Sequence, residues 1–177
     1  AAGLTFIGPS ADTMRKLGDK ASARKVAISA AVPVVPATDV LPENIEEISE
    51  LASKIGYPLM LKASWGGGGR GMRPVVDENE LSSKILEGRR EAQSAFGNDE
   101  GYLEKLIQSA RHVEVQILGD KFGGMFHLWE RDCSVQRRNQ KVVERAPAPY
   151  LSSLQREELC EYAKAICAKV GYYCAGT

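Results

Sequence analysis

The sequence has two histidines, a modest 7% of aromatic residues and no net charge, since 23 Lys+Arg offset 23 Asp+Glu among 177 residues. A balanced charge gives no positive field for nucleic acid and no pull toward an anionic membrane. No apolar run approaches the ~18 residues of a membrane span, which excludes a transmembrane helix. The opening AAGLTFIGPS lacks the basic and apolar regions of a signal peptide. It also lacks an initiating methionine, so the expectation is a processed chain or a piece excised from a longer one. No two of Cys133, Cys160, Cys167 and Cys174 form a CxxC pair, which argues against zinc. Cys160 and Cys167 share a face if helical, and read as small buried hydrophobes in a reducing compartment. There is no repeat at a period of about 20–50 residues.

What is present suits a soluble globular chain, with 44% hydrophobic and 26% charged residues. The length allows one domain, or one and part of another, burying roughly 70% of the unfolded surface. Pro9 and Ser10 precede a short helix ending near Gly18, and Asp19 caps a second from Lys20 to about Ala31. VPVVPATDVLP, with three prolines in eleven residues, reads as a linker or extended edge. A helix is predicted to start at Pro42, with Ile45, Ile48, Leu51 and Ile55 as its apolar stripe and Gly56 as its left-handed stop. YPLMLKAS and MRPVV read as strands, and Asp77 with Glu80 has capping spacing for a helix to Phe96. YLEKLI is strand-like. Val113, Val115 and Ile117 alternate with His112, Glu114 and Gln116, and MFHLWE returns after GDKFGG as an antiparallel hairpin. CSVQRRNQKVVERAPAP reads as one further extended segment. Ser152 and Gln155 have capping-box spacing for a helix to about Val170, stopped by Gly171, and CAGT reads as the start of a strand. The order is α+β, without the regular βαβ alternation of a doubly wound sheet.

Three stretches offer chemistry. Gly66, Gly67, Gly68, Gly69 and Gly71 sit between two strands, with Lys62 before them and Arg70 among them. Such a loop lets backbone N–H groups converge on an anion, and the two cations add charge. It is neither a Walker A loop nor a dinucleotide fingerprint, because a strand follows it. The plain alternative is a flexible surface loop with a charged tip. The polar face His112–Glu114–Gln116 is either a site wall or the wet face of an antiparallel strand. The run from Glu130 to Arg145 mixes both signs of charge, so it is no nucleic-acid stripe. It is either a solvated ion-pair network or a wall offering donors to a polyanion and a small oxyacid. Lys20, in a helix's first turn, opposes the macrodipole and hints at an anion nearby.

FIGPS, GDKASAR, GYPLMLKASWGGGGRGM, YLEKLI, RHVEVQILGD, ERDCSVQRRNQKVVERAPAP and GYYCAGT follow in that order over nearly the whole chain. Together they resemble the biotin carboxylase domain of the biotin-dependent carboxylases, in the ATP-grasp superfamily. Trp65 and Arg70 in KASWGGGGRGM resemble the branch that turns pyruvate into oxaloacetate. The resemblance implies an ATP-grasp-like α+β fold. Residues 1–32 would end an N-terminal subdomain, 33–107 would form a small α/β lid, and 108–177 would begin an antiparallel-sheet subdomain. It implies that ATP activates bicarbonate as carboxyphosphate and that the carboxyl group passes to N1′ of biotin on a carrier domain. Lys20 and Lys62 would contact the phosphates, under a lid loop of Gly66, Gly67, Gly68, Gly69, Arg70, Gly71 and Met72. Glu104, Lys105 and Ile107 would hold adenine, and His112, Gln136 and Asn139 would line the ribose. Lys141 would face bicarbonate beside Glu114, the catalytic pair. Asn139 stands where several relatives carry histidine; it can still donate and accept.

The implied partners are bicarbonate, carrier-bound biotin and the rest of the carboxylase chain, in a homo-oligomeric parent, with neither nucleic acid nor membrane. Magnesium is expected to be held by residues beyond Thr177, with no metal ligand in this chain, so the chain alone is expected to be inactive. The compartment expected is the cytoplasm, or the mitochondrial matrix for a eukaryotic source. Another ATP-grasp ligase, such as a carbamoyl-phosphate-synthase-like enzyme, and a non-catalytic module are the alternatives.

Overall fold

The computed structural model describes residues 3–4, 6–65 and 72–177. They fall into two compact units: Ala1–Gly18, Ser22–Pro33 and Arg111–Thr177 form one, and Asp19–Ala21 with Val34–Ala110 form the other. Two short helices open the chain, α1 (Ala11–Gly18) and α2 (Lys20–Ser29). The Asp19 carboxylate accepts from the Ala21 N–H at 3.3 Å, satisfying an orphan donor at the start of α2.

The second unit is built from α3 (Ile45–Ile55), β1 (Leu59–Ala63), β2 (Arg73–Val75), α4 (Glu78–Phe96) and β3 (Gly101–Lys105). Its sheet is antiparallel in the order β2-β1-β3. Leu59, Leu61 and Ala63 of β1 are buried while Met60 and Lys62 are half-buried, the two-residue period of a strand with one covered face. Ile48, Ala52, Val75, Leu81, Ile85 and Leu103 complete the core. The proline-rich stretch runs along β3 as the expected extended edge: Thr38 and Leu41 donate N–H bonds to Leu103 and Gly101, each at 2.8 Å.

The start of α3 differs from expectation. Pro42 lies outside the helix, and Asn44 caps it, accepting from the N–H groups of Glu46 (2.7 Å) and Glu47 (3.4 Å). Asparagine supplies an acceptor to the orphan N–H groups and proline has none, so Asn44 sets the boundary. Gly56 ends the helix at φ 81 and ψ 139, a positive-φ turn but not the left-handed helical one. Asp77 caps α4 as expected, at 2.8 and 3.3 Å from the N–H groups of Asn79 and Glu80. Gly88 of α4 lies against Leu61, where an added Cβ would stand 2.4 Å from Cδ2. Leu61 is buried in the core, so its Cδ2 can yield only toward the small cavity that it lines together with Gly88, Ile85 and Ala92. Gly88→Ala gains up to ~1 kcal/mol of helix propensity against ~1–3 kcal/mol of overpacking. A net loss of stability is expected, read as a lower urea midpoint at constant m-value.

The first unit adds β4 (Val113–Gly119), β5 (Met125–Arg137), β6 (Gln140–Arg145), α5 (Ser153–Lys169) and β7 (Ala175–Gly176), with sheet order β6-β5-β4-β7. All pairs are antiparallel. Helix α5, opened by the expected Ser152–Gln155 capping box, covers one face. There Val115, Ile117 and Cys160 pack with Met125, Leu159, Ala163 and Cys167. All four cysteines are free thiols. The segment read as one extended run is two strands. Arg138 (φ 50) and Asn139 (φ 63) make a tight left-handed turn between β5 and β6, a conformation that asparagine tolerates. Glu130 is a structural group: its buried carboxylate accepts from Arg156 Nε at 2.9 and 3.0 Å and from the Ala148 N–H at 3.0 Å. Among the described residues, no helix is long and apolar enough to cross a membrane.

Candidate functional site

In the second unit, Lys62 on β1 forms an ion pair with Glu104 on β3, whose register partner is Met60. The two side chains are 22% and 21% exposed. Lys20, the first residue of α2, senses the same pair. Burial lowers its ammonium first, the Lys62 charge lowers it further, and Glu104 partly opposes both. Two ammonium groups thus share the field of one carboxylate. A polyphosphate placed there would draw Lys20 back toward its ordinary range, so these residues fit such an anion.

Lys105 is used differently. Its ammonium donates to the carbonyls of Gly56 (2.9 Å) and Tyr57 (2.7 Å), closing the C-terminal end of α3. Its N–H goes to Pro36 O at 2.8 Å and that of Leu106 to Pro58 O at 3.1 Å. Ile107 is exposed and Met72 half-buried. Gly66, Gly67, Gly68, Gly69, Arg70 and Gly71 lie outside the described residues.

In the first unit, the face of the sheet opposite α5 carries charge. Glu114 on β4 lies beside Arg131, its register partner on β5, and Lys141 on β6. Each cation pairs with one oxygen of a carboxylate only 11% exposed. Arg131 also donates to Gln116 Oε1 at 3.0 Å and pairs with Glu144 at 3.0 Å. Burial pushes the Glu114 carboxyl up, but the Lys141 hydrogen bond and the charges of Arg131 and Lys141 outweigh it and hold the group below its usual range. The bond to Glu114 raises the Lys141 ammonium. Burial, then the Glu114 charge, pushes the Cys133 thiol up, so it stays protonated and is no ready nucleophile. Glu114, Cys133 and Glu144 bring ligand atoms within 4.8 Å of one another. Both carboxylates already face cations, and the set is balanced as an ion-pair network.

His112 and Gln136 also meet, with Gln136 Nε2 2.8 Å from His112 Nδ1 and 2.8 Å from the Cys133 carbonyl. His112 Nε2 is 3.7 Å from Glu114. Asn139 sits exposed at the β5–β6 turn. The structure therefore joins Glu114 to Lys141, His112 to Gln136, and Lys62 to Glu104. Sequence reasoning missed Arg131 and Glu144 as partners of this cluster. Alternation along β5 would have put Arg131 on the face of Cys133, but the strand register that sets it opposite Glu114 is not written locally.

Residues 19–177 match the family described as carbamoyl-phosphate synthase L chain, ATP binding domain, and the chain belongs to that family. Its homologues are biotin carboxylases and pyruvate carboxylases. Over 175 residues it is 49% identical to chloroplastic biotin carboxylase 2 of Populus trichocarpa, matching 99% of this chain and 33% of that protein. The solved structure of Rhizobium etli pyruvate carboxylase T882A with acetyl coenzyme A superposes with a TM-score of 0.89 at 61% identity, covering 98% of this chain and 15% of that one. The biotin carboxylase domain dimer of Hydrogenobacter thermophilus 2-oxoglutarate carboxylase, solved with MgADP, ADP and bicarbonate, gives 0.92 at 46% identity, covering 98% and 38%. The chain thus spans a third or less of the curated biotin carboxylase and a smaller part of the pyruvate carboxylase. The fold is the ATP-grasp type of these neighbours, and the carbamoyl-phosphate-synthase-like reading is the less supported of the two ligase readings.

Proposed function

We propose that this chain is the ATP-binding core of a biotin carboxylase that consumes ATP and bicarbonate to carboxylate carrier-bound biotin, within a pyruvate carboxylase. Phosphoryl transfer calls for positioning and charge neutralisation more than covalent help. The observation that carries the reading is the Lys20–Lys62–Glu104 cluster, where two ammonium groups share one carboxylate. In this reading Lys20 and Lys62 receive the phosphates, beneath the loop of Gly66 to Gly71. Glu104 orients Lys62, and the backbone near Lys105 and Ile107 meets the adenine. His112, Gln136 and Asn139 serve the ribose. Lys141 holds bicarbonate as a fixed cation, and Glu114 keeps that cation charged and aimed. Magnesium would neutralise phosphate charge when bound, and no described residue of this chain is assigned to it.

The rest of the carboxylase chain, a homo-oligomeric parent and carrier-bound biotin are the partners. The four free thiols favour a reducing compartment, the cytoplasm or an organelle matrix. Calorimetric titration of the intact protein with ATP tests the reading. Lys62→Gln removes a charged donor worth ~1.5–3 kcal/mol, so ATP affinity is expected to fall by roughly 10–100-fold. An unchanged affinity would sink the assignment and favour a non-catalytic module.

A further inference from the structure

Arg131 contacts three side chains of the charged face on the strands to either side of it. From the middle of β5 its guanidinium reaches Glu114 and Gln116 on β4 and Glu144 on β6. The chain of contacts extends at both ends. Gln116, fixed by Arg131 through its Oε1, donates from Nε2 to the Gly176 carbonyl on β7 at 2.9 Å. Glu114, fixed on one oxygen by Arg131, pairs through the other with Lys141 on β6. A single guanidinium thus links all four strands across the face opposite α5. Of its own contacts the one to Gln116 Oε1 is a hydrogen bond, and those to Glu114 and Glu144 are ion pairs held by proximity. A guanidinium spreads its charge over a fork that can face all three at once. The Arg131 side chain is 24% exposed, so the fork is largely screened from water.

Glu114 flanked by two cations holds Lys141 less tightly than Glu114 facing Lys141 alone, because the positive charge of Arg131 offsets part of the negative potential at Lys141 and anchors the other carboxylate oxygen. Without Arg131, one oxygen of Glu114 and the Glu144 carboxylate lose a cation, and both turn toward the one ammonium left. Lys141 would then be neutralised by two carboxylates and poorly disposed to an incoming anion.

We propose that Arg131 is a positioning residue for the anion-holding lysine: by taking up Glu114 and Glu144 it leaves Lys141 with charge to offer a small oxyanion. This rests on the reading of Lys141 given above. Arg131 itself contacts no reacting atom.

The test is steady-state kinetics of ADP release by the intact enzyme at varied bicarbonate, with ATP affinity measured separately. Arg131→Gln is expected to raise the bicarbonate KM by about tenfold or more while ATP affinity stays within about twofold. Arg131→Lys is expected to recover part of the loss, since it restores charge without the fork. Glu144→Gln, a milder change at a more exposed position, removes one competitor for Lys141 in the Arg131→Gln background and is expected to lower the raised KM. It also keeps the proposal testable if Arg131→Gln proves unstable, because Glu144→Gln alone should then lower the bicarbonate KM. An unchanged bicarbonate KM in Arg131→Gln overturns the proposal. So does an equal loss of ATP and bicarbonate affinity with a lowered Tm, the mark of a purely structural role. If the unaltered enzyme shows no bicarbonate-dependent ADP release, the underlying reading fails and the proposal falls with it.

Discussion

Lys141→Gln in the intact enzyme is expected to slow bicarbonate-dependent ADP release by roughly 10²–10³-fold, the usual loss when one preorganised charge-stabilising donor is removed. ATP affinity should change by less than about threefold. In the proposed reading bicarbonate, a weak nucleophile, gains from having its charge fixed by the Lys141 ammonium. The ammonium is kept protonated by its bond to Glu114, which raises it against the opposing effect of burial. Glutamine keeps some hydrogen bonding but is one bond shorter and uncharged, so the kinetic loss reports the removal of the charged donor. Product analysis by rapid quench, comparing ADP formed with and without bicarbonate, gives the measurement. A variant that retains wild-type bicarbonate dependence would remove Lys141 from the mechanism.

Arg156→Met is the substitution with the largest expected effect on stability, about 3–5 kcal/mol at pH 7, since it leaves the fully buried Glu130 carboxylate unpaired. The effect should shrink in acid, and the signs fix the window. In the unaltered protein, burial pushes the Glu130 carboxyl up, but bonds from Arg156 and from the Ala148 N–H outweigh it and hold it below its ordinary value of 4.5. A depressed carboxyl contributes stability that is present above the unfolded value and lost as pH falls through the folded one. In Arg156→Met burial wins, the folded value rises above the unfolded one, and the variant gains relative stability as Glu130 takes up a proton. The two Tm curves should therefore be far apart at pH 7 and converge below about pH 4.5. A constant separation across that range would show that Arg156 acts through packing of its stem alone.

Much of the fold is legible in the sequence where a local signal has a local cause. The Asp77 and Ser152 caps, the burial period of β1 and the edge-like proline stretch each follow from side chains acting within a few residues. The failures have equally physical reasons. Pro42 suits a first helical position, yet Asn44 two residues on carries the acceptor that the N–H groups need. The Arg138–Asn139 turn has no glycine or proline to mark it, so β5 and β6 merged into one segment. At the site, types and neighbours could be proposed, but Arg131 and Glu144 became visible only through cross-strand register. The bulges in β4–β5 and β5–β6 pairing shift that register where no sequence rule reaches. Lys105 illustrates another limit: its ammonium serves the carbonyls of Gly56 and Tyr57, a long-range use that a motif match does not carry.

The alternation along β4 and β5 has a consequence for how this protein can change over generations. Val115 and Ile117 pack toward α5, and Glu130 reaches it through Arg156. Glu114, Gln116 and Arg131 belong to the opposite face. In the proposed reading adjacent residues therefore serve different ends, one set the packing beneath α5 and the other the holding of an anion. If that reading holds, substitutions at every second residue would alter the preference for an anion while their neighbours keep the sheet packed on α5.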